Sequence, residues 1–210
     1  DVGEYELELQ IPVADTETIA DNNALKFPIT IRNEALKVLV VESYPRWEYR
    51  YLRNALERDP GVEVNCLLFH PELKDVGGGR GYLEEFPGEK ELFDYDVVFL
   101  GDVGVESGQL SLENCTHIRQ LVRSHAGGLV FLPGFRGKQS TMLTTELEEL
   151  YPVIPDQASP QGVGSSRPAR FALTESGRRS LLTRLESEDD ANENVWNSLP
   201  GFQWYASTRR

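Results

Sequence analysis

Residues 37–41 are Lys37-Val38-Leu39-Val40-Val41, a run in which every residue after the lysine is apolar. Such continuous apolar composition is typical of a strand that is buried on both faces of a parallel sheet. Further strands are predicted at 62–69, 96–100 and 127–132, and helical periodicity fills two of the intervals between them. The alternation predicts an α/β domain with a parallel sheet, right-handed crossovers and helices on both faces.

Two helices are predicted from their start signals and apolar faces. Pro45 is placed at the first turn of a helix that runs to about Arg58, because proline fits a first helical turn. Ser111 is predicted to cap a second helix that runs to about Ser124. Thr145 and Glu148 suggest a capping box for a short helix that ends at Leu150.

The remaining segments after residue 35 give weaker patterns. Residues 70–93 are polar and glycine-rich, which predicts a long loop. We expect a loop over 155–168, a short strand over 170–174 and a helix over 176–185. Two tryptophans and two other aromatic residues lie within 196–205, and they are expected to close the core.

Residues 1–34 differ from the rest of the sequence. Apolar residues alternate with polar ones from Tyr5 to Ile11 and again from Phe27 to Ile31, with a turn signal at 21–23 between them. This pattern predicts a β-hairpin that belongs to a preceding immunoglobulin-like domain or linker, since a whole sandwich needs about 100 residues. The main α/β domain is assigned to residues 35–210.

Composition excludes several classes of function. The net charge of −13 argues against a nucleic-acid-binding surface, which needs clustered basic residues. The apolar runs are too short to cross a bilayer, so direct membrane insertion is not expected. Residues 186–193 are strongly acidic and are interpreted as a solvated loop, because they lack the spacing of a calcium-binding loop.

The cysteines and histidines suggest neither a metal centre nor a disulfide framework. Cys66 and Cys115 fall on apolar faces of a strand and a helix, as small buried hydrophobic residues do. His70, His117 and His125 are not spaced as zinc ligands. No metal and no cofactor is therefore expected.

The candidate site lies in loops at the carboxyl ends of the parallel strands, where open α/β sheets bind ligands. Arg46 and Glu48 flank Trp47 at the start of the first helix, and the three form either an anion-binding and acid–base group or a buried ion pair at a helix start. Asp102 is either a ligand-binding or basic group or a turn residue. The predicted cleft residues are Tyr44, Arg46, Trp47, Glu48, Asp102, Phe135, Arg136 and Lys138.

Two glycine-rich motifs resemble nucleotide-binding loops without meeting their requirements. Residues 137–140 lack the glycine that a phosphate-binding loop needs at position 132, which is Leu132. Residues 77–81 do not stand between a buried strand and a helix, so the dinucleotide-binding fingerprint is absent.

The chain resembles the glutamine amidotransferase-like family, whose architecture is flavodoxin-like, over about residues 36–205. The resemblance rests on residues 37–41 followed by 45–52, on 93–102, on Gly127-Gly128-Leu129-Val130-Phe131-Leu132-Pro133-Gly134, and on 173–177. It implies a three-layer α/β fold and kinship with amidotransferase-like domains of large, membrane-associated bacterial proteins.

The catalytic residues of that family are missing from the corresponding positions. The resemblance implies a nucleophilic cysteine at the turn after residue 132, activated by a later histidine. Here the turn contains Phe135 and Arg136, and the last histidine, His125, precedes it. Nucleophilic catalysis needs a nucleophile and a base within hydrogen-bonding reach, so glutaminase activity is not expected.

We therefore predict a non-catalytic binding or interaction domain of a larger, envelope-associated bacterial protein, with a protein or a neighbouring domain as its partner. One alternative is an enzyme that uses Glu48 or Asp102 as a base and Arg46 or Arg136 as an electrostatic stabiliser. Another is a structural spacer with no cleft at these loops.

Overall fold

The computed structural model describes residues 3–12, 23–31, 35–69, 81–106 and 108–209. Its strands are β1 Gly3–Gln10, β2 Ala24–Ile31, β3 Leu36–Glu42, β4 Val62–Leu68, β5 Val97–Leu100, β6 Gly128–Phe131, β7 Ile154–Pro155, β8 Val163–Ala169, β9 Phe202–Tyr205 and β10 Thr208–Arg209. Its α-helices are α1 Trp47–Glu57, α2 Glu89–Leu92, α3 Leu112–Ser124, α4 Glu175–Arg179 and α5 Asp189–Ser198. Short 3₁₀ helices span Lys138–Thr144, Glu148–Leu150 and Leu181–Thr183.

Four strands form an all-parallel sheet in the order β4-β3-β5-β6, which confirms the prediction of a parallel sheet. β3 pairs with β4 on one side and with β5 on the other, so that Val38 is opposite both Val64 and Val97. The chain runs from β3 to β4 and then crosses to β5 and β6. The direction of strand progression therefore reverses between β3 and β5.

Alternate residues of β3 pack on opposite faces of this sheet, as the period of a strand requires. Val38 and Val40 contact a cluster that includes Tyr49 of α1. Leu39 and Val41 join a larger cluster that includes Leu92 of α2 and Ile118 and Leu121 of α3. Because helices cover both faces, β3 is buried throughout its apolar run, and each such side chain contributes about 1.5–3 kcal/mol to stability.

The start of α3 is confirmed and the start of α1 is corrected. Ser111 Oγ accepts a hydrogen bond from the Asn114 N–H, and Asn114 Oδ1 accepts one from the Ser111 N–H, which together make a capping box. α1 begins at Trp47 rather than at Pro45. Arg46 stays extended, with φ −71° and ψ 169°, and its side chain reaches back to Glu42.

Several of the weaker predictions are wrong. They concern segments whose structure depends on pairing with a distant strand or on the ends of short helices. Residues 155–168 are not all loop, since β8 forms by antiparallel pairing with β9, and 170–174 is not a strand. The predicted helix over 176–185 is only α4 followed by a 3₁₀ turn. The Thr145 hydroxyl accepts from the Leu147 N–H rather than forming a box with Glu148.

The acidic and aromatic segments near the end of the chain also differ from expectation. The acidic residues of 186–193 are exposed, but the stretch is not all loop: it enters α5 at Asp189, since acidic residues are favoured in a first helical turn, and Asn192 is buried. Phe202 and Tyr205 are exposed, and the aromatic residues of 196–205 lie outside both main core clusters. They therefore do not close the core of the sheet.

The amino-terminal strands form a separate antiparallel pair. β1 and β2 are in register from Gly3 opposite Ile31 to Gln10 opposite Ala24, as the alternating pattern predicts. Residues 21 and 22 of the predicted turn lie outside the described residues, as do residues 70–80 of the predicted long loop. The assignment of this hairpin to a preceding domain stays a prediction. Among the helices described, none is long and apolar enough to span a membrane.

Candidate functional site

A buried glutamate organises the carboxyl ends of the central strands. Glu42 is the last residue of β3 and is only 2% exposed. Its Oε1 accepts hydrogen bonds from the Ser43 N–H at 2.8 Å and from the Asp102 N–H at 3.0 Å. Its Oε2 accepts from Arg46 Nε at 2.7 Å. Glu42 therefore joins the ends of β3 and β5 where the direction of strand progression reverses.

Arg46 extends this connection to the end of β6. Its Nη1 donates to the Pro133 carbonyl at 2.9 Å, and its Nη2 donates to the Leu132 carbonyl at 2.5 Å. The sequence predicted that Arg46 either pairs with Glu48 or binds an anion. The structure instead pairs Arg46 with Glu42 and leaves Glu48 exposed. No local signal in the sequence indicates this pairing, because Glu42 ends a strand and Arg46 is extended, so the helical i to i+4 rule does not apply to them.

Asp102 fixes the turn that follows β6. This residue is 3% exposed, and its two carboxylate oxygens accept hydrogen bonds from the backbone N–H groups of Arg136 at 2.9 Å and Lys138 at 2.8 Å. Gly134 is required beside it, because a Cβ there would lie 2.5 Å from Asp102 Oδ2. The carboxylate is thus used to hold the turn.

Gly137 completes this turn in the left-handed region, with φ of 67°. A side chain at this position would also collide with the backbone of Pro160, because a Cβ would lie 2.6 Å from the Pro160 carbonyl carbon. The Gly137 N–H donates to the Gly134 carbonyl at 3.0 Å. The backbone amides of Arg136, Gly137 and Lys138 are therefore all engaged within the protein.

A cleft of about 600 Å³ opens beside these strand ends, and we call it the aromatic cleft. Trp47 is 67% exposed and Phe135 59% exposed, so their rings face solvent. The Arg50 guanidinium lies 5.5 Å from the centre of the Trp47 ring. The lining residues are Tyr44, Pro45, Arg46, Trp47, Glu48, Arg50, Phe135 and Trp204.

Five of the eight predicted cleft residues therefore line one cavity: Tyr44, Arg46, Trp47, Glu48 and Phe135. Arg136 and Lys138 line a second cavity of about 590 Å³. Arg136 nevertheless stacks its guanidinium 4.7 Å from the ring centre of Tyr44, so it lies next to the aromatic cleft.

Sequence reasoning missed two residues of the aromatic cleft. Arg50 is one helical turn beyond Arg46, so its proximity was available from the helical period. Trp204 comes from β9, where its Nε1 donates to the Gln161 carbonyl at 2.7 Å. Local pattern gave no signal for Trp204, because its position depends on the pairing of β9 with β8.

Both thiols are buried in the hydrophobic clusters of the core, each beside one hydroxyl group. Cys66 contacts the hydroxyl of Tyr49, and Cys115 contacts that of Thr145. Burial raises the pKa of each thiol, which keeps both in the neutral and unreactive form. Burial also raises the pKa of Tyr49, whose hydroxyl donates to the Tyr82 oxygen at 3.2 Å.

The two histidines that the structure describes lie outside the lining of the aromatic cleft. His125 stacks on Phe93 with ring centres 3.9 Å apart, and His117 lies on α3. His70 lies outside the described residues. Within the described part of the chain, no three histidine, cysteine, aspartate or glutamate side chains form a group that could hold a metal ion.

Comparisons with family models, with curated proteins and with solved structures gave no match to this chain.

Proposed function

We propose that this chain is a non-catalytic binding domain of glutamine amidotransferase-like, flavodoxin-like architecture, which binds a protein partner through the aromatic cleft. The observation that carries the proposal is the exposure of Trp47 and Phe135 beside the Arg50 and Arg136 guanidinium groups. Tryptophan, tyrosine and arginine dominate the binding energy of protein interfaces. The strand order β4-β3-β5-β6 supports the architecture, since it places its switch point at this cleft.

The state of the turn after β6 supports a role without nucleophilic catalysis. Acyl-transfer enzymes need backbone N–H groups free to stabilise a developing oxyanion. At this turn the N–H groups of Arg136 and Lys138 already donate to the Asp102 carboxylate. Both thiols are buried away from the aromatic cleft in neutral form. The same bonds weigh against the alternative enzyme, because they occupy Asp102 as well.

The charges at the aromatic cleft indicate the charge that a partner segment should carry. The chain carries a net charge of −13, yet Arg50 and Arg136 lie on the rings of the aromatic cleft. The exposed Glu48 offsets one of these two charges, and Arg46 is neutralised by Glu42, so an excess of one cation remains at the cleft. This excess on an acidic protein favours an acidic partner segment, through complementary potentials. We propose that the segment belongs to a neighbouring domain or a protein partner of a larger, envelope-associated bacterial protein.

The proposal is tested with a displayed library of random peptides, selected in parallel on the chain, on Trp47→Ala and on Tyr205→Ala. Tyr205 is an exposed aromatic residue that does not line the cleft, so it serves as the matched control. We expect acidic, aromatic-containing peptides to be enriched on the chain and on Tyr205→Ala, and to be lost on Trp47→Ala. Equal enrichment on all three proteins contradicts the use of the cleft.

Catalysis is tested separately by incubating the chain with glutamine. We expect ammonia release equal to that of a protein-free blank. Release above the blank would overturn the non-catalytic assignment, and its loss in Cys66→Ala or Cys115→Ala would identify that thiol as the nucleophile.

A further inference from the structure

A third cavity lies beside the edge strand β6, and it is smaller and more apolar than the aromatic cleft. Its volume is about 150 Å³, and its walls are mainly apolar. Phe131 of β6 stacks on Tyr151 with ring centres 3.9 Å apart, and both rings line the cavity. Leu143 and Val153 complete the apolar wall, together with several prolines.

Three of the polar side chains that line this cavity, Tyr151, Gln139 and Asp156, are already bonded within the protein. The Tyr151 hydroxyl donates to the Gln139 carbonyl at 3.3 Å. Gln139 Nε2 donates to the Leu100 and Gly101 carbonyls at 2.8 and 2.6 Å. Asp156 at the rim accepts from Arg209 Nε at 3.2 Å. The exposed lining of the cavity is mainly apolar, which favours an apolar occupant over a charged one.

We infer that this cavity binds an uncharged apolar ring of about the size of benzene. The cavity is partly open to solvent, and its volume and mainly apolar lining match those of an apolar protein cavity of about 150 Å³ that binds benzene or xenon. The stacked Phe131 and Tyr151 rings offer a flat surface for offset or edge contact with such a ring.

This site is independent of the proposed function. The cavity and the aromatic cleft have no lining residue in common among the described residues. The cleft exposes aromatic rings and guanidinium groups at the ends of β3 and β6. The cavity is formed by β6, the 3₁₀ helix Lys138–Thr144, the segments 151–153 and 155–160, and residues 206–208. Loss of binding at one site leaves the other testable.

The experiment follows the methyl signals of Leu143 and Val153 by NMR while toluene, or xenon under pressure, is added. We expect saturable shifts that centre on these two methyl groups. Leu143→Phe adds volume inside the cavity and Val153→Trp adds it at the rim, so each is expected to weaken binding at least tenfold. Leu182→Trp is the matched control, since Leu182 is 95% exposed and lies outside the cavity wall.

The ring that binds here comes either from a free small molecule or from a peptide side chain, and N-acetylphenylalanine amide distinguishes the two. Binding of toluene alone identifies a free small molecule, and binding of both identifies the side chain of a peptide. Shifts that spread over all exposed apolar residues, or that are unchanged in both cavity variants, overturn the inference. Amide spectra of each variant confirm that the fold is retained, and a folded variant that binds normally counts against the site.

Discussion

Arg46 Nε lies 2.7 Å from Glu42 Oε2, and this ion pair connects the ends of β3 and β6 beneath the aromatic cleft. The Glu42 side chain is 2% exposed and that of Arg46 is 11% exposed. The pair fills the place at the strand ends where open sheets commonly bind ligands. Binding is therefore expected on the rings above the pair, and the pair itself is a structural element.

Replacing Glu42 with Gln should destabilise the fold. The variant leaves the buried guanidinium of Arg46 without a counter-charge, and removing one partner of a buried pair costs about 3–5 kcal/mol. Urea unfolding measures the loss. Glu57→Gln is the control, because its pair with Arg53 is more exposed and is worth about 0–1 kcal/mol. Equal losses in the two variants would contradict a special role for Glu42.

Asp102→Asn should loosen the turn after β6. An amide has one acceptor oxygen, so only one of the N–H groups of Arg136 and Lys138 keeps its bond. The expected cost is about 1–3 kcal/mol, the penalty for an unsatisfied buried group. Hydrogen exchange should accelerate most at the one of these two amides that loses its bond. Asp94→Asn, at an exposed position, should leave both exchange rates unchanged.

Gly101→Ala should displace the Glu42 carboxylate. An added Cβ would lie 2.5 Å from Glu42 Cδ, a contact that cannot be accommodated without movement. Overpacking of this kind costs about 1–3 kcal/mol. The cost should shrink when the substitution is made in Glu42→Ala, because the colliding group is then absent. Gly164→Ala meets only open space and a distant carbonyl, so its stability should change little.

Stability should fall as the pH rises above about 9. Burial raises the pKa of Cys66 and Cys115 above the ordinary value of 9.0, and that of Tyr151 above 10.0. The unfolded chain releases these protons first, so each group lowers the free energy of unfolding by about 1.4 kcal/mol per pH unit between its unfolded and folded pKa values. The contribution of these groups to stability is fully present at pH values below their pKa values in the unfolded chain.

Urea unfolding between pH 7 and 11, in the presence of a reductant, measures this dependence. Tyr151→Phe should reduce the slope above pH 10, whereas Tyr51→Phe should not, because Tyr51 is exposed on α1. A flat profile in the unmodified chain would contradict the burial of these groups.

The sheet could be predicted from sequence because its signals are local. The apolar run 37–41 and the Ser111 cap each specify an element by the composition of neighbouring residues. The role of Glu42 could not be predicted from the sequence, because its burial depends on a hydrogen bond from the Asp102 N–H, sixty positions along the chain. Likewise β8 lacks an alternating pattern and exists through its pairing with β9, which also places Trp204 in the aromatic cleft.

The contacts of Glu42 restrict how this sequence can evolve. Aspartate at position 42 would be too short by one methylene to keep the same reach to Arg46, and any side chain at position 101 would enter the space of the Glu42 carboxylate. Substitutions at 42, 46 and 101 are therefore expected to arise together in descendants of this chain, whereas Trp47 is free to diverge with the partner it meets.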